Sequence, residues 1–307
     1  MTVAVLSGGV GGARFVRGLV EVVGAADTGV IGNVGDDVDV LGLHVSPDLD
    51  SLLYALAGLA DDERGWGRAG ETWSTLATLR ELGGEAWFAL GDHDLALHLV
   101  RTQALRAGEP LSSVTSRLAA ALGVETRLLP ATDDRLRTWV DTPAGPFAFQ
   151  EWFVARGHRD SVDGVRFEGA KEALPAPGTL ELLAGADVLL LAPSNPYISI
   201  APILAVRGLR GALAARSVPC VAVSPLISGR AVKGPADRML ERLAGGTSPR
   251  HVAACYEGLI DALVVDEADA GDLDGLGDVR PIVAQTLMRD ADARRRLAEA
   301  ALGAVVA

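Results

Sequence analysis

A run of glycines, Ser7-Gly8-Gly9-Val10-Gly11-Gly12-Ala13-Arg14, follows the apolar stretch Val3–Leu6 and opens a helical pattern. Glycine lets a backbone turn sharply and approach a ligand closely, and the start of a helix offers unpaired N–H groups to an anion. Gly8, Gly9, Gly11 and Gly12 therefore mark a candidate phosphate loop, with helix-on-strand packing as the competing role for the same residues. The spacing is that of neither a P-loop nor GxGxxG, so it brings no phosphate-binding lysine and no dinucleotide fingerprint. Arg14, one turn on, either reaches a phosphate or faces water. A second set is acidic: Asp36, Asp37 and Asp39, then Asp48 and Asp50, at the ends of the early strands. Carboxylates beside a phosphate loop suit Mg2+, which takes one or two of them together with phosphate oxygens. Capping of the helix that starts near Ser51 is the plainer alternative for Asp48 or Asp50.

Two further segments carry short polar groups. In Leu90-Gly91-Asp92-His93-Asp94, Asp92 can cap the helix that follows, and Asp94, His98 and Arg101 fall on one face of it at i, i+4 and i+7. They either line a pocket together or, as the spacing alone reads, form a solvated face. Ala192-Pro193-Ser194-Asn195-Pro196 closes an apolar strand; its prolines fix the backbone while Ser194 and Asn195 suit a nucleobase or phosphate contact. Lys233, one of only two lysines, precedes another helix start in Val232-Lys233-Gly234-Pro235, as a ligand contact or as a surface lysine.

The elements that must position these groups are parallel βα units. Strands are expected at Val3–Leu6, Gly29–Asn33, Asp187–Ala192, Cys220–Ser224 and Ala262–Asp266. Helices are expected at Gly12–Val23 and near 201–215, 235–244 and 290–301. Between about 51 and 122 four helical patterns follow one another (Leu52–Leu59, Thr72–Leu82, Asp92–Arg106, Ser112–Leu122). Strand pairs are expected around Pro143–Pro146 and around Arg156-Gly157-His158. The result is an α/β fold, an open and mostly parallel sheet with a mainly helical insertion. Ligands of such sheets gather beyond the carboxyl ends of the strands, where the glycine run, the aspartates and the Ser194 segment all fall.

Composition removes several classes. With 307 residues and 49% apolar side chains the chain can bury a substantial core. A net charge of −12 argues against non-specific nucleic-acid binding and requires any anion to be held by backbone N–H groups, a few placed cations or a metal. The apolar runs are strand-sized, so no membrane partner is expected. The opening residues lack a signal-peptide pattern, and Cys220 and Cys255 have no metal-type spacing, so a cytoplasmic protein with inert thiols is expected. The five histidines show no HExxH spacing, and no Ser-His-Asp elbow is present.

Taken in order, these segments resemble the CofD/FbiA family of coenzyme F-420 biosynthesis. The matching stretches are Leu6–Arg14, Asn33-Val34-Gly35-Asp36-Asp37, Pro47-Asp48-Leu49-Asp50, Arg64-Gly65-Trp66-Gly67 and Leu90–Ala96. They continue with Leu129–Asp134, Phe149-Gln150-Glu151-Trp152 and Ala192–Pro196. The likeness runs from residue 2 to about 266, and its glycine run is similar to the actinobacterial branch. It implies a Rossmann-like nucleotide-binding core, residues 1–50 and 171–307, with residues 51–170 as an inserted, mainly helical subdomain contributing to a deazaflavin site. It also implies a homodimer, Mg2+, and small-molecule substrates: the deazaflavin alcohol Fo and a guanosine diphosphate-linked three-carbon acid. Transfer of the phosphoenolpyruvyl (or 2-phospholactyl) unit to Fo would release GMP.

Joined to the reading of the residues above, this assigns the nucleotide to Gly8, Gly9, Gly11, Gly12, Arg14, Ser194, Asn195, Pro196 and Lys233. The deazaflavin falls to Asp50, Asp92, His93 and Asp94, the metal to Asp36, Asp37, Asp48 and Asp50, and the catalytic role to Asp50. His93 stands where relatives often carry Arg. A nucleotide-binding regulator of the related GGTG-loop type, without transferase activity, is the alternative.

Overall fold

The computed structural model describes residues 1–306. In chain order, β1 (Val3–Ser7) leads into α1 (Gly9–Val23), β2 (Thr28–Gly32), the short pair β3 (Val38–Val40) and β4 (Leu43–Val45), and α2 (Pro47–Leu56). Then come α3 (Ser74–Glu81), α4 (Asp92–Arg106), α5 (Leu111–Ala121), β5 (Arg127–Pro130), β6 (Arg137–Thr142), β7 (Gly145–Ala148) and β8 (Gly164–Glu168). The rest is α6 (Thr179–Gly185), β9 (Val188–Leu191), α7 (Ala201–Ala205), α8 (Leu209–Ala214), β10 (Cys220–Val223), β11 (Leu226–Ile227) and β12 (Arg230–Ala231). The chain finishes with α9 (Ala236–Ala244), α10 (Pro249–Cys255), β13 (Ala262–Asp266), β14 (Arg280–Ala284) and α11 (Ala291–Val306).

Seven strands form one parallel sheet in the order β14-β13-β10-β9-β1-β2-β5. Its central strands read as unbroken apolar runs because helices cover both faces, and every residue of β1, β9, β10 and β13 is buried. The chain winds outward from β1 through β2 to β5, and in the other direction from β9 to β14. The order therefore reverses between β1 and β9, where Val3 faces Val188 and Leu6 faces Leu191. A crevice opens beyond the carboxyl ends at such a reversal. α1 lies against α11 so closely that a Cβ on Gly18 would fall 2.7 Å from the backbone of Arg294.

Several expectations shift. β5 falls inside the stretch expected to be a helical insertion, yet it pairs with β2 at the edge of the main sheet. Four residues between a helix end and a turn are too short to carry a periodic signal. Residues 156–158 are a turn after a π-helical segment (Glu151–Ala155), not a strand pair; the third strand of the β7-β6-β8 sheet comes later, at β8. α1 starts at Gly9 rather than Gly12, so the glycine run is itself the first helical turn. No helix among the described residues is long and apolar enough to cross a membrane.

Candidate active site

β1 stops at Ser7, Gly8 is extended, and Gly9 takes φ +69°, a value that strains any side chain. The N-cap offers α1 no side-chain bond and no acidic residue sits in its first turn; the Gly9 N–H goes to the Asp48 carboxylate from α2, and the next N–H groups are left for a ligand. Gly8, Gly9, Gly11 and Arg14 line a cavity of about 730 Å³ in the crevice between β1 and β9. The two sides are stitched together by Ser194, whose Oγ donates to the Gly8 carbonyl (2.7 Å) and accepts from the Gly8 N–H (3.3 Å). Gly12 faces the other way: a Cβ there would be 2.5 Å from Ser194 Oγ, so it is a packing glycine outside the cavity lining.

Asn195 lines the cavity while its Oδ1 caps the Tyr197 N–H (2.9 Å), and Pro196 is buried behind it. Lys233 and Arg14 also line it, and both tie down the loop that follows α2. Lys233 Nζ donates to the Gly65 carbonyl (3.2 Å), and Arg14 Nη2 meets the carbonyl and the carboxylate of Asp62, each at 3.2 Å.

The aspartates separate by partner. Asn33 Nδ2 donates to Asp36 Oδ1 and to Asp48 Oδ2, both at 3.0 Å, so one amide gathers two buried carboxylates. Burial first, then the charges of Asp48 and Asp37, push Asp36 well above the carboxylate range. Burial pushes Asp48 up to about 6, held back by hydrogen bonds from Asn33 and the Gly9 N–H. Such shifts mark negative charge out of water and without a counter-charge. Two hard oxygen donors beside a helix start fit Mg2+, a cation that takes one or two carboxylates and completes its shell with water or phosphate oxygens rather than a full protein cage. No three His, Cys, Asp or Glu side chains converge on a metal position among the described residues, so the four aspartates expected to share a metal do not come together as a set.

Asp37 and Asp50, expected beside them, are engaged elsewhere. Asp37 Oδ2 accepts from Ser46 Oγ (2.8 Å) and meets His44 Nε2 (3.0 Å). Asp50 lines the cavity, but Arg101 grips it with both terminal nitrogens: Nη1 to Oδ2 at 3.1 Å, and Nη2 to Oδ1. The α4 face that reads as solvated is therefore buried. Tyr54 Oη donates to Asp94 Oδ1 (2.6 Å), and His98 is buried beside Asp50, its imidazole pKa lowered by burial.

The sequence profile described as "2-phospho-L-lactate transferase CofD" matches residues 3–292. The chain belongs to the CofD family. It is similar to the phosphoenolpyruvate transferase of Streptomyces griseus subsp. griseus, 43% identical over 310 residues, with 98% of each chain covered. The phosphoenolpyruvate transferase of Streptomyces coelicolor is 43% identical over 313 residues, covering 98% of this chain and 97% of that one. Among solved structures, protein BH3568 of Bacillus halodurans superposes with a TM-score of 0.66 over 98% of this chain and 99% of its own. At 19% identity that likeness concerns the fold.

Within this CofD-family chain the Leu90–Ala96 segment divides. Asp94 lines the cavity, but Asp92 and His93 do not. Asp92 instead serves the start of α3, accepting from Thr72 Oγ1 (2.5 Å) and from the N–H groups of Ser74 (3.1 Å) and Thr75 (3.0 Å), bonds that lower its pKa. His93 is exposed, its N–H held by Glu71 Oε2 at 2.8 Å. What single-residue reading misses is the aromatic wall: Trp66, Trp87, Phe88, Phe149, Phe153 and Tyr54 all line the cavity. Trp66 and Phe149 sit in the quoted CofD-like stretches, which was the available signal. The others come from loops and helices with no periodic mark.

Proposed function

We propose that the protein moves a phosphoenolpyruvyl (or 2-phospholactyl) unit from a guanylyl-activated diphosphate donor to a hydroxyl of the deazaflavin Fo. The products are GMP and a (dehydro-)coenzyme F-420-0. The carrying observation is that one cavity joins the start of α1 to Asp50 and the aromatic wall, so a phosphate site and a flat-ring site share one space. The names of the actinobacterial relatives favour the enolpyruvyl donor. A cytoplasmic homodimer is part of the same reading.

In the reaction the acceptor hydroxyl oxygen bonds to the phosphorus bearing the three-carbon unit. The bond from that phosphorus to the GMP oxygen breaks, GMP leaves with the electron pair, and the hydroxyl proton is lost to solvent. Charge neutralisation and alignment are the protein's tasks in such a transfer. The first-turn N–H groups of α1 and Arg14 hold the diphosphate, and Asp50 accepts a hydrogen bond from the attacking hydroxyl and aims it. Asp36 and Asp48 would hold Mg2+, which when bound offsets the charge of the diphosphate.

Incubation with Fo and the enolpyruvyl donor is expected to release GMP and to give a product heavier than Fo by the transferred unit in mass spectrometry. A chain that binds guanosine nucleotides but neither binds Fo nor releases GMP is the regulator instead.

The glycine loop gives a second expectation. A Cβ on Gly11 would stand 3.0 Å from the Pro193 carbonyl oxygen, at the cavity wall, and the two methyls of valine would crowd the phosphate position. Gly11→Val should weaken GDP binding at least about tenfold, ~1.4 kcal/mol, while the circular dichroism spectrum stays near wild type. Unchanged affinity would make the loop purely structural.

A further inference from the structure

Two side chains behind and beside Asp50 have no role so far. Arg101 is buried and outside the cavity lining, while His98, one turn before it on α4, lines the cavity. A guanidinium donates five N–H groups and accepts nothing. Arg101 Nη1 lies 3.2 Å from His98 Nδ1, so that nitrogen must be the acceptor, and the ring proton must sit on Nε2. The same guanidinium holds both oxygens of Asp50 in a planar fork, leaving that carboxylate its remaining lone pairs for the cavity. His98 Nδ1 and Asp50 Oδ2 are 3.8 Å apart, so the ring and the carboxylate stand side by side.

From this geometry we infer that His98 is a hydrogen-bond donor to the hydroxyl-bearing chain of the acceptor, and that Arg101 is the positioning residue that fixes both its tautomer and the aim of Asp50. A hydroxyl both donates and accepts. Adjacent groups that accept (Asp50) and donate (His98 Nε2–H) satisfy one hydroxyl twice, or two neighbouring hydroxyls once each. That pattern selects a polyhydroxylated acceptor over one with an apolar or single-hydroxyl tail. The inference rests on the acceptor reading proposed above.

The test separates the two imidazole nitrogens. His98→Asn keeps an oxygen near the Nδ1 position for Arg101 but withdraws the donor from the cavity. His98→Gln carries an amide N–H out to the Nε2 position. Fluorescence titration and steady-state kinetics with Fo should show the Asn variant about tenfold weaker in Fo dissociation constant and KM, the loss of one buried hydrogen bond. Its KM for the guanylyl donor should stay within about twofold of wild type. The Gln variant should regain most of the Fo affinity. Arg101→Lys keeps the charge but not the fork, and kcat should fall about tenfold with donor KM unchanged.

The wild type supplies a second arm that needs no variant to fold. Among Fo analogues each lacking one hydroxyl, at least one should bind about tenfold more weakly. Fo binding by His98→Asn equal to wild type, or equal binding of every deoxy analogue by the wild type, would overturn the inference and leave the proposed function standing. Failure of the wild type to bind Fo at all would end the proposed function, and this inference with it.

Discussion

Asp50→Asn is expected to lose about 10²–10⁴-fold in GMP release with Fo saturating, the usual cost of removing a positioned group that acts on the reacting atom. Asparagine is nearly the same shape and serves helix starts well, so a carboxylate acting only on the first turn of α2 would survive the change. The structure adds a second cost. Arg101 is fully buried, with Asp50 as its carboxylate partner at both terminal nitrogens. Breaking a buried pair from one side strands the other charge, typically at about 3–5 kcal/mol. A melting temperature lower by roughly 5–8 °C should accompany the loss of rate.

The double variant Asp50→Asn/Arg101→Met separates the two effects. With both charges gone, the melting temperature should return toward wild type while turnover stays low. Turnover within about threefold of wild type in either variant would make Asp50 a structural partner of Arg101 and move the search to Asp36 and Asp48.

Chelation should stop the reaction. With excess EDTA the rate is expected to fall at least about a hundredfold, and added Mg2+ should restore it. The reason lies in Asp36 and Asp48, two carboxylates buried around the Asn33 amide with no ion-pair partner among the described residues. A cation bound there supplies the missing counter-charge, so Mg2+ together with GDP should raise the melting temperature, in an amount that grows with their concentration. Asp36→Asn and Asp48→Asn should each raise the Mg2+ concentration for half-maximal rate about tenfold or more. Full turnover in excess EDTA would refute the metal reading and leave the pair as a hydrogen-bonded brace of the glycine loop.

Much of this site is legible in the sequence because it is local. A glycine run between an apolar strand and a helix, or Ser194 at the end of β9, says where a backbone will approach a ligand. The bounds of α4, Asp92–Arg106, follow from periodicity alone. Partnerships across elements are not local. Nothing in the spacing of Asp50 and Arg101 says that α2 and α4 will bury them against each other, because a polar stripe on a helix looks the same whether water or a second polar stripe covers it. The same limit explains Asp92, which sits at the start of α4 as expected yet spends its carboxylate on α3. The resemblance implied a ligand role for Asp94, but it assigned none to the aromatic residues and could not say that Arg101 takes Asp50 and that His44 and Ser46 take Asp37.

The seam between β1 and β9 also bears on how the protein matures. Val3 pairs with Val188, and the glycine loop is stitched to Ser194, so the glycine-loop side of the cavity joins the first strand to chain made much later. Closing so long a loop is slow, and contacts far apart in sequence are made late in folding. During synthesis β1 and β2 must wait, with their apolar edge uncovered, until residues beyond Leu191 have left the ribosome. That interval exposes an aggregation-prone strand edge. A chain truncated before β9 should have no guanosine nucleotide site, whereas the full 307-residue chain should. Ligand added during refolding should leave the rate of docking of β9 against β1 unchanged and slow its reversal, because the site exists only once the two strands have met.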